Sequence, residues 1–146
     1  MTYQLERKAI ETFFVAQWGG ATPVGMDGHL FEPAINSLRL TIQSGAVLQG
    51  SIGRALDRID HIGVLQVQVF TEGGKGSQTW RGYVETIQGF LTNAVIDNAG
   101  VAITDPADAF VRFSPQNQHP YIAGATHDAP FLITTLNAPF VRYGFK

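Results

Sequence analysis

The sequence of 146 residues contains no cysteine. That absence removes disulfide frameworks, thiolate metal sites and cysteine nucleophiles together, and it leaves the compartment open, with a reducing cytosol merely compatible. Charge is scarce as well: 15% of the residues are Asp, Glu, Lys or Arg, against about 25% in an ordinary soluble domain. The surface must therefore be covered by amides, hydroxyls, glycine backbone and some apolar groups, a composition disposed to association. The ten lysines and arginines are scattered, and the formal net charge is -2. No electrostatic footprint for nucleic acid follows from that distribution, so a dedicated, sequence-specific DNA or RNA binder is not expected. Long hydrophobic runs are missing too. The opening MTYQLERKAIETFF mixes charges into its apolar positions and offers neither a signal-peptide core nor a membrane span, so the chain reads as soluble and unprocessed.

What is present fits one compact domain over residues 1–146, because 45% hydrophobic and 11% aromatic content can fill a single core. Tyr3 to Trp18 predicts a helix, with Ile10, Phe13, Phe14 and Gln17 at helical spacing and Glu6, Arg7, Lys8 and Glu11 largely on the other side. Thr2 can cap it and Gly19-Gly20 can end it. Ala34 to Gln43 reads as a strand through Ile35, Leu38, Leu40 and Ile42. Ile59 to Thr71 is the strongest strand, with Leu65, Val67 and Val69 on one face and Gln66, Gln68 and Phe70 on the other. Trp80, Tyr83, Val84, Ile87 and Leu91 then mark a clean amphipathic helix, with Ser77 where its cap should be. Asp97-Asn98-Ala99-Gly100 reads as a turn before a short strand at Val101 to Ile103. Ala109 to Ser114 and Tyr121 to Ala125 alternate like strands, and Pro130 to Phe145 reads as a last strand pair. The order predicts an α+β domain with two helices on one face of a mainly antiparallel sheet.

Ser44 to Asp60, SGAVLQGSIGRALDRID, is the least regular stretch. It carries aliphatic side chains without a clear period, and it reads either as a partly packed insertion or as an arm that meets another chain.

The stretch Gly73-Gly74-Lys75-Gly76-Ser77 lies between a strand and a helix, the layout that proteins use to hold phosphate. Its spacing does not fit. A P-loop needs GxxxxGK followed directly by Ser or Thr, whereas Lys75 is followed by Gly76, and the dinucleotide pattern GxGxxG lacks its third glycine. A strand-to-helix turn with positive-φ glycines is the simpler reading. His29, His61, His119 and His127 show no metal-ligand spacing, and the Asp60-His61 and His127-Asp128 neighbours would point to opposite faces of a strand. Asp57, Asp60 and Glu72 flank the long strand and Asp105 and Asp108 stand three apart, without any sign of the burial that would split their pKa values. No serine sits in a nucleophile elbow. The sequence gives no positive support for a catalytic, cofactor or metal site.

The N-terminal helix with Phe13-Phe14 near its end, the strand FEPAINSLRLTI, the run DHIGVLQVQVFTEGGKGSQTWRGYVETIQGFL and the late PYIAGATHDAPFLITTLNAPFVRYGF together resemble the tail terminator proteins of long-tailed bacteriophages. The resemblance covers most of the chain. It implies a non-enzymatic virion protein without a cofactor, a homo-oligomeric ring, expected to be a hexamer, that caps the head-proximal end of the tail tube. Such a ring stops tube polymerisation, presents a surface to the head-tail connector protein, lets DNA pass through and assembles in the host cytoplasm. Low charge and amide-rich strands suit side-by-side subunits, since charge is depleted at interface cores. Val47, Leu48, Ile52, Arg54 and Arg58 in the insertion, and Lys75 and Arg81 near the glycine turn, are the expected interface residues. The alternatives are a head-tail connector or tail-completion protein, a nucleotide-binding module using Gly73 to Ser77, and an accessory protein unrelated to phage that forms a ring or binds a peptide.

Overall fold

A computed structural model of the chain describes residues 2–30, 32–49, 58–74, 76, 78–105 and 108–145. Among these residues, two α-helices lie against a seven-stranded, mostly antiparallel sheet, the α+β arrangement expected. In chain order the elements are α1 (Thr2–Trp18), β1 (Val24–Gly25), β2 (Ser37–Gln49), β3 (Arg58–Glu72), α2 (Gln78–Leu91), β4 (Val95–Ile96), β5 (Val111–Phe113), a 3-10 turn (Pro115–Asn117), β6 (Tyr121–Asp128) and β7 (Phe131–Phe145). The sheet order is β1-β2-β3-β7-β5-β4. Strand β7 pairs with β3 along its whole length, while its other edge is shared by β6 (Phe131 to Asn137) and β5 (Phe140 to Arg142).

Alternation assigns the faces. Leu38 and Leu40 of β2, Leu65, Val67 and Val69 of β3, and Leu136, Ala138 and Phe140 of β7 point to one side and are buried. They meet Ile10, Phe13, Phe14 and Trp18 of α1 and Trp80, Val84, Ile87 and Leu91 of α2 in one core. Both helices thus cover the same face. An edge-to-face stack of Phe14 on Phe90, with centroids 5.2 Å apart, and of Trp18 on Tyr83, at 5.5 Å, joins the helices to each other, and each buried aromatic contributes on the order of 1.5–3 kcal/mol.

Helix α1 departs from the expected division of faces. Glu6 and Glu11 are buried while Gln17 is exposed. Glu6 stands four and seven residues before Ile10 and Phe13, so the helical period turns it inward whatever its charge. Glu11 accepts from Arg7 Nη1 at 3.2 Å and from the Asp27 amide at 2.8 Å, and Asp27 Oδ1 in turn accepts from the Ile42 amide at 3.1 Å. That relay ties α1 to the outer edge of β2. The helix ends at Gly19 and Gly20, with φ of 70° and 74°, where the Gly19 amide still donates to Val15 O.

Three strand assignments need correction. Strand β2 begins at Ser37, because Asn36 adopts a left-handed φ of 62° and Ser37 Oγ donates back to Ala34 O; Ile35 therefore lies outside it and is exposed. The same strand continues to Gln49 through a bulge between Ser44 and Val47, so the described part of the irregular stretch is the end of a long β2–β3 pair. Pro130 to Phe145 contains one strand, not a pair. Pro139 is tolerated because its carbonyl accepts from the Ser114 amide on the β5 side, so its missing N–H faces the gap between the end of β5 and the start of β6. Val101 to Ile103 contributes an isolated bridge, Ile96 to Ala102, and the predicted turn before it is built as Asp97 Oδ1 accepts from the Ala99 and Val101 amides.

Candidate functional site

The expected interface residues fall in different places. Val47 and Leu48 are 51% and 53% exposed at the end of β2. They point to opposite faces: Val47 pairs with His61 on the helix-covered side, and Leu48 pairs with Asp60 on the open side. Ile52, Arg54 and Lys75 lie outside the described residues, as does Ser77, and of Arg58 only the backbone is described, as the first residue of β3. Arg81 is exposed on α2 and lies 4.5 Å from the Trp80 ring, on the helix that also carries Tyr83. It is therefore remote in kind from the β2–β3 end: one group belongs to a strand edge, the other to a helix surface.

The glycine turn has its backbone engaged. The Gly73 amide donates to Pro130 O at 2.9 Å, and a Cβ at Gly73 would stand 3.2 Å from the same oxygen. Gly74 and Gly76 take φ of 81°, as a turn of this kind requires. Among the described residues no group of three His, Asp or Glu side chains could hold a metal ion, and no helix is long and apolar enough to cross a membrane.

The open face of the sheet is polar and low in charge. In successive cross-strand rows it presents Arg39, Gln68 and Thr135, then Thr41, Gln66, Asn137 and Tyr121, then Gln43, Val64 and Pro139. Toward the β2–β3 end the rows become apolar, and a cleft of about 380 Å³ forms between Leu48, Ile62, Val141 and Tyr143, with Asp60 and Arg112 at its polar margin and the turn Pro115 to Gln118 as its wall. That wall is held in an unusual backbone: Ser114, Gln116 and Asn117 all have φ between 52° and 62°.

Two lateral edges of this sheet are uncovered among the described residues. Strand β6 pairs only with β7, and all eight of its residues are exposed. Strand β2 is paired on its outer side by β1 at Leu38 and Arg39 and by Asp27 at Ile42, and by nothing from there to Gln49. Periodicity marks neither edge, because an edge is a property of strand order and not of residue pattern.

On the covered face, beyond the apolar layer, stands a charged cluster that the sequence reading passed over. Arg142 Nε donates to Glu6 Oε1 at 3.1 Å, with the arginine side chain 0% exposed and the Glu6 side chain 5%. The Tyr3 ring lies 5.0 Å from the guanidinium carbon and meets the His61 ring edge-on at 5.8 Å. Burial lifts the Glu6 carboxyl above its usual value despite the hydrogen bond and charge of Arg142. Burial also lowers the His61 imidazole, helped by Arg142 repulsion and opposed by Asp60. The signal was in the strand alternation: Leu136, Ala138, Phe140 and Arg142 share one face of β7.

No family model and no curated protein matches the chain. A solved structure that carries no functional name aligns over 97% of this chain and 96% of its own, with a TM-score of 0.67 at 20% sequence identity, a likeness of fold.

Proposed function

We propose that this chain is the subunit of a tail terminator ring, a structural virion protein that closes the head-proximal end of a phage tail tube. The reading rests on the resemblance of its sequence to that family. The observation that carries it into the structure is the pair of uncovered sheet edges, β6 on one side and the Gln43 to Gln49 part of β2 on the other. Strands β2 and β7 both run antiparallel to β3, and β6 runs antiparallel to β7, so the two free edges run in opposite directions. A second copy laid edge to edge continues the antiparallel ladder. Because β6 lies at the level of Phe131 to Asn137 and the free part of β2 at the other end of the sheet, each junction staggers the copies along the strands, which is the shear that closing a sheet demands. A contact of this heterologous kind generates a ring where its rotation closes and an open filament where it does not.

Termination by such a ring is steric and interfacial, with no turnover. One annular face matches the last ring of tube protein, and the other refuses a further tube subunit and meets the connector. Weak surface charge favours close lateral contact between identical copies, which would otherwise repel.

The deciding measurement is negative-stain microscopy of the purified protein, alone and with isolated tail tubes. Rings with a central hole seated on one tube end are expected. A monomer that never binds tube ends overturns the reading, and rings that bind only the connector transfer it to a connector or tail-completion protein.

A further inference from the structure

Arg112 is a cation without a match at the edge of an apolar floor. It is exposed on β5 and makes no hydrogen bond or ion pair among the described residues. Two cross-strand rows of the open face lie beside it, Arg112 with Val141 and Ile62 in one, and Tyr143 with Asp60 and Leu48 in the next. Together they floor the cleft of about 380 Å³, which opens past the half-exposed Leu48. Asp60 and Tyr143 already have interactions of their own, so Arg112 is the charge left to be matched.

The wall of the cleft is fixed in advance. The Ser114 amide donates to Pro139 O, Ser114 Oγ accepts from the Asn93 amide, and the Gln118 amide donates to Pro115 O. Gln88 Nε2 of α2 donates to Pro120 O at 3.0 Å, just beyond the wall. These bonds brace a segment in which Ser114, Gln116 and Asn117 all hold positive φ, strain of the kind that clusters at ligand clamps. A cleft already shaped binds at lower cost than one that must be ordered.

We propose that this cleft docks an extended segment of a partner protein that carries a bulky apolar side chain and, two residues away, an acidic one. The apolar side chain sits between Ile62 and Val141, and the carboxylate pairs with Arg112. The spacing agrees. Neighbouring strands are about 4.8 Å apart, so a point midway between Ile62 and Val141 lies about 7 Å from Arg112 along the row, and alternate side chains of an extended segment are also about 7 Å apart. A charge-assisted pair with a guanidinium favours a carboxylate, and the volume suits one large side chain with its neighbours. A segment fits better than a free acid because the cleft continues into the amide-rich rows of the open face, where Gln43, Gln66 and Asn137 can meet a peptide backbone. The site lies on the face of the sheet and does not rest on the ring reading.

Magnetic resonance of the isotope-labelled intact chain, titrated with short peptides at equal ionic strength, tests this. Acetyl-Leu-Ala-Glu-amide is expected to shift the backbone signals of Ile62, Arg112, Val141 and Tyr143 saturably at concentrations up to about 10 mM, as one apolar anchor and one ion pair allow. The same peptide with Gln in place of Glu is expected to bind about fivefold more weakly, the upper range for an ion pair that stays partly in water, and with Ser in place of Leu about tenfold more weakly. Arg112→Gln is expected to bind the Glu and Gln peptides equally. Equal binding of those two peptides to the wild type overturns the proposal without need of any variant, as does a preference for Glu that survives in Arg112→Gln, or the absence of saturable shifts at the cleft. Hexanoate that binds as tightly as the Glu peptide assigns the cleft to a free acid, and cleft signals that move with the concentration of the chain alone assign it to a second copy; either result overturns a partner segment as the occupant.

Discussion

Phe140 occupies the space that a side chain at Gly63 would need. The two residues are cross-strand partners on the covered face, and a Cβ on Gly63 would lie 2.6 Å from Phe140 Cζ and 2.9 Å from the carbonyl oxygen of Gln43. The tip of the ring therefore sits against the glycine, and the same ring meets Phe113, 5.8 Å away between centroids. Gly63→Ala forces this contact apart and is expected to cost about 1–3 kcal/mol, the usual range for overpacking. Phe140→Leu in the same chain is expected to recover part of that loss, since the Gln43 carbonyl remains in the way. Urea unfolding of the two single variants and the double variant measures the coupling; strict additivity would show that the ring and the glycine do not share the space.

The Glu6–Arg142 pair ties the first turns of α1 to β7 where both side chains are buried. Taking away one partner strands the other. Glu6→Leu is expected to destabilise by about 3–5 kcal/mol because it leaves a buried guanidinium with no carboxylate. Glu6→Leu combined with Arg142→Met removes both charges and is expected to be no less stable than the wild type. Denaturant midpoints decide it: a double variant as unstable as Glu6→Leu alone would mean that the ion pair itself, and not the avoidance of a lone charge, holds the helix.

The same cluster sets two opposing pH dependences. The folded pKa of Glu6 is raised above 4.5, first by burial. The native state then holds that proton more tightly than the unfolded chain, so the stabilisation from Glu6 is full below 4.5 and is lost as pH rises through the folded value. His61 is lowered below 6.5, again first by burial. Its stabilisation is full above 6.5 and is lost as pH falls through the folded value. Unfolding measured from about pH 4 to pH 8 on the wild type, Glu6→Gln and His61→Gln separates the two. The wild type is expected to gain on Glu6→Gln as pH falls and to lose on His61→Gln over the same range. Differences that run the other way would place these groups outside the buried cluster.

Much of the architecture could be read from periodicity. Trp80, Val84, Ile87 and Leu91 are the buried face of α2, and Leu65, Val67 and Val69 are the buried face of β3, as their spacing predicts. Reading failed where one residue interrupts a pattern that tertiary structure restores. The bulge between Ser44 and Val47 shifts the register of β2, so its last residues lose their alternation in sequence while keeping it in space. Asn137-Ala138-Pro139 looks like a turn, yet β7 runs straight through it because the proline faces a gap between two partner strands. Glu6 and Arg142 were legible by position and concealed by type. Helical phase puts Glu6 with Ile10 and Phe13, and strand phase puts Arg142 with Phe140, but charge alone argues for solvent, and only the pairing of two elements 136 residues apart explains both.

The end of β2 offers the most direct test of lateral assembly. Val47 and Leu48 are both about half exposed on opposite faces of one strand whose outer edge has no partner among the described residues. If that edge meets β6 of the next copy, apolar side chains on both faces are covered at once, and charge introduced there would have to be buried at the junction. Val47→Lys with Leu48→Lys is expected to leave the unfolding midpoint of the subunit within about 0.5 kcal/mol of the wild type, as surface changes do, and to abolish higher assemblies. A lysine on β6, Thr126→Lys, is expected to act in the same way, because Thr126 belongs to the opposite edge of the sheet. Light scattering on each variant alone and on their mixture is informative for a head-to-tail contact: each variant still has one intact edge, so the mixture is expected to form dimers through the two unaltered edges and to stop there. Full rings from either variant, or a mixture with no dimers, would rule out this pair of edges as the ring contact.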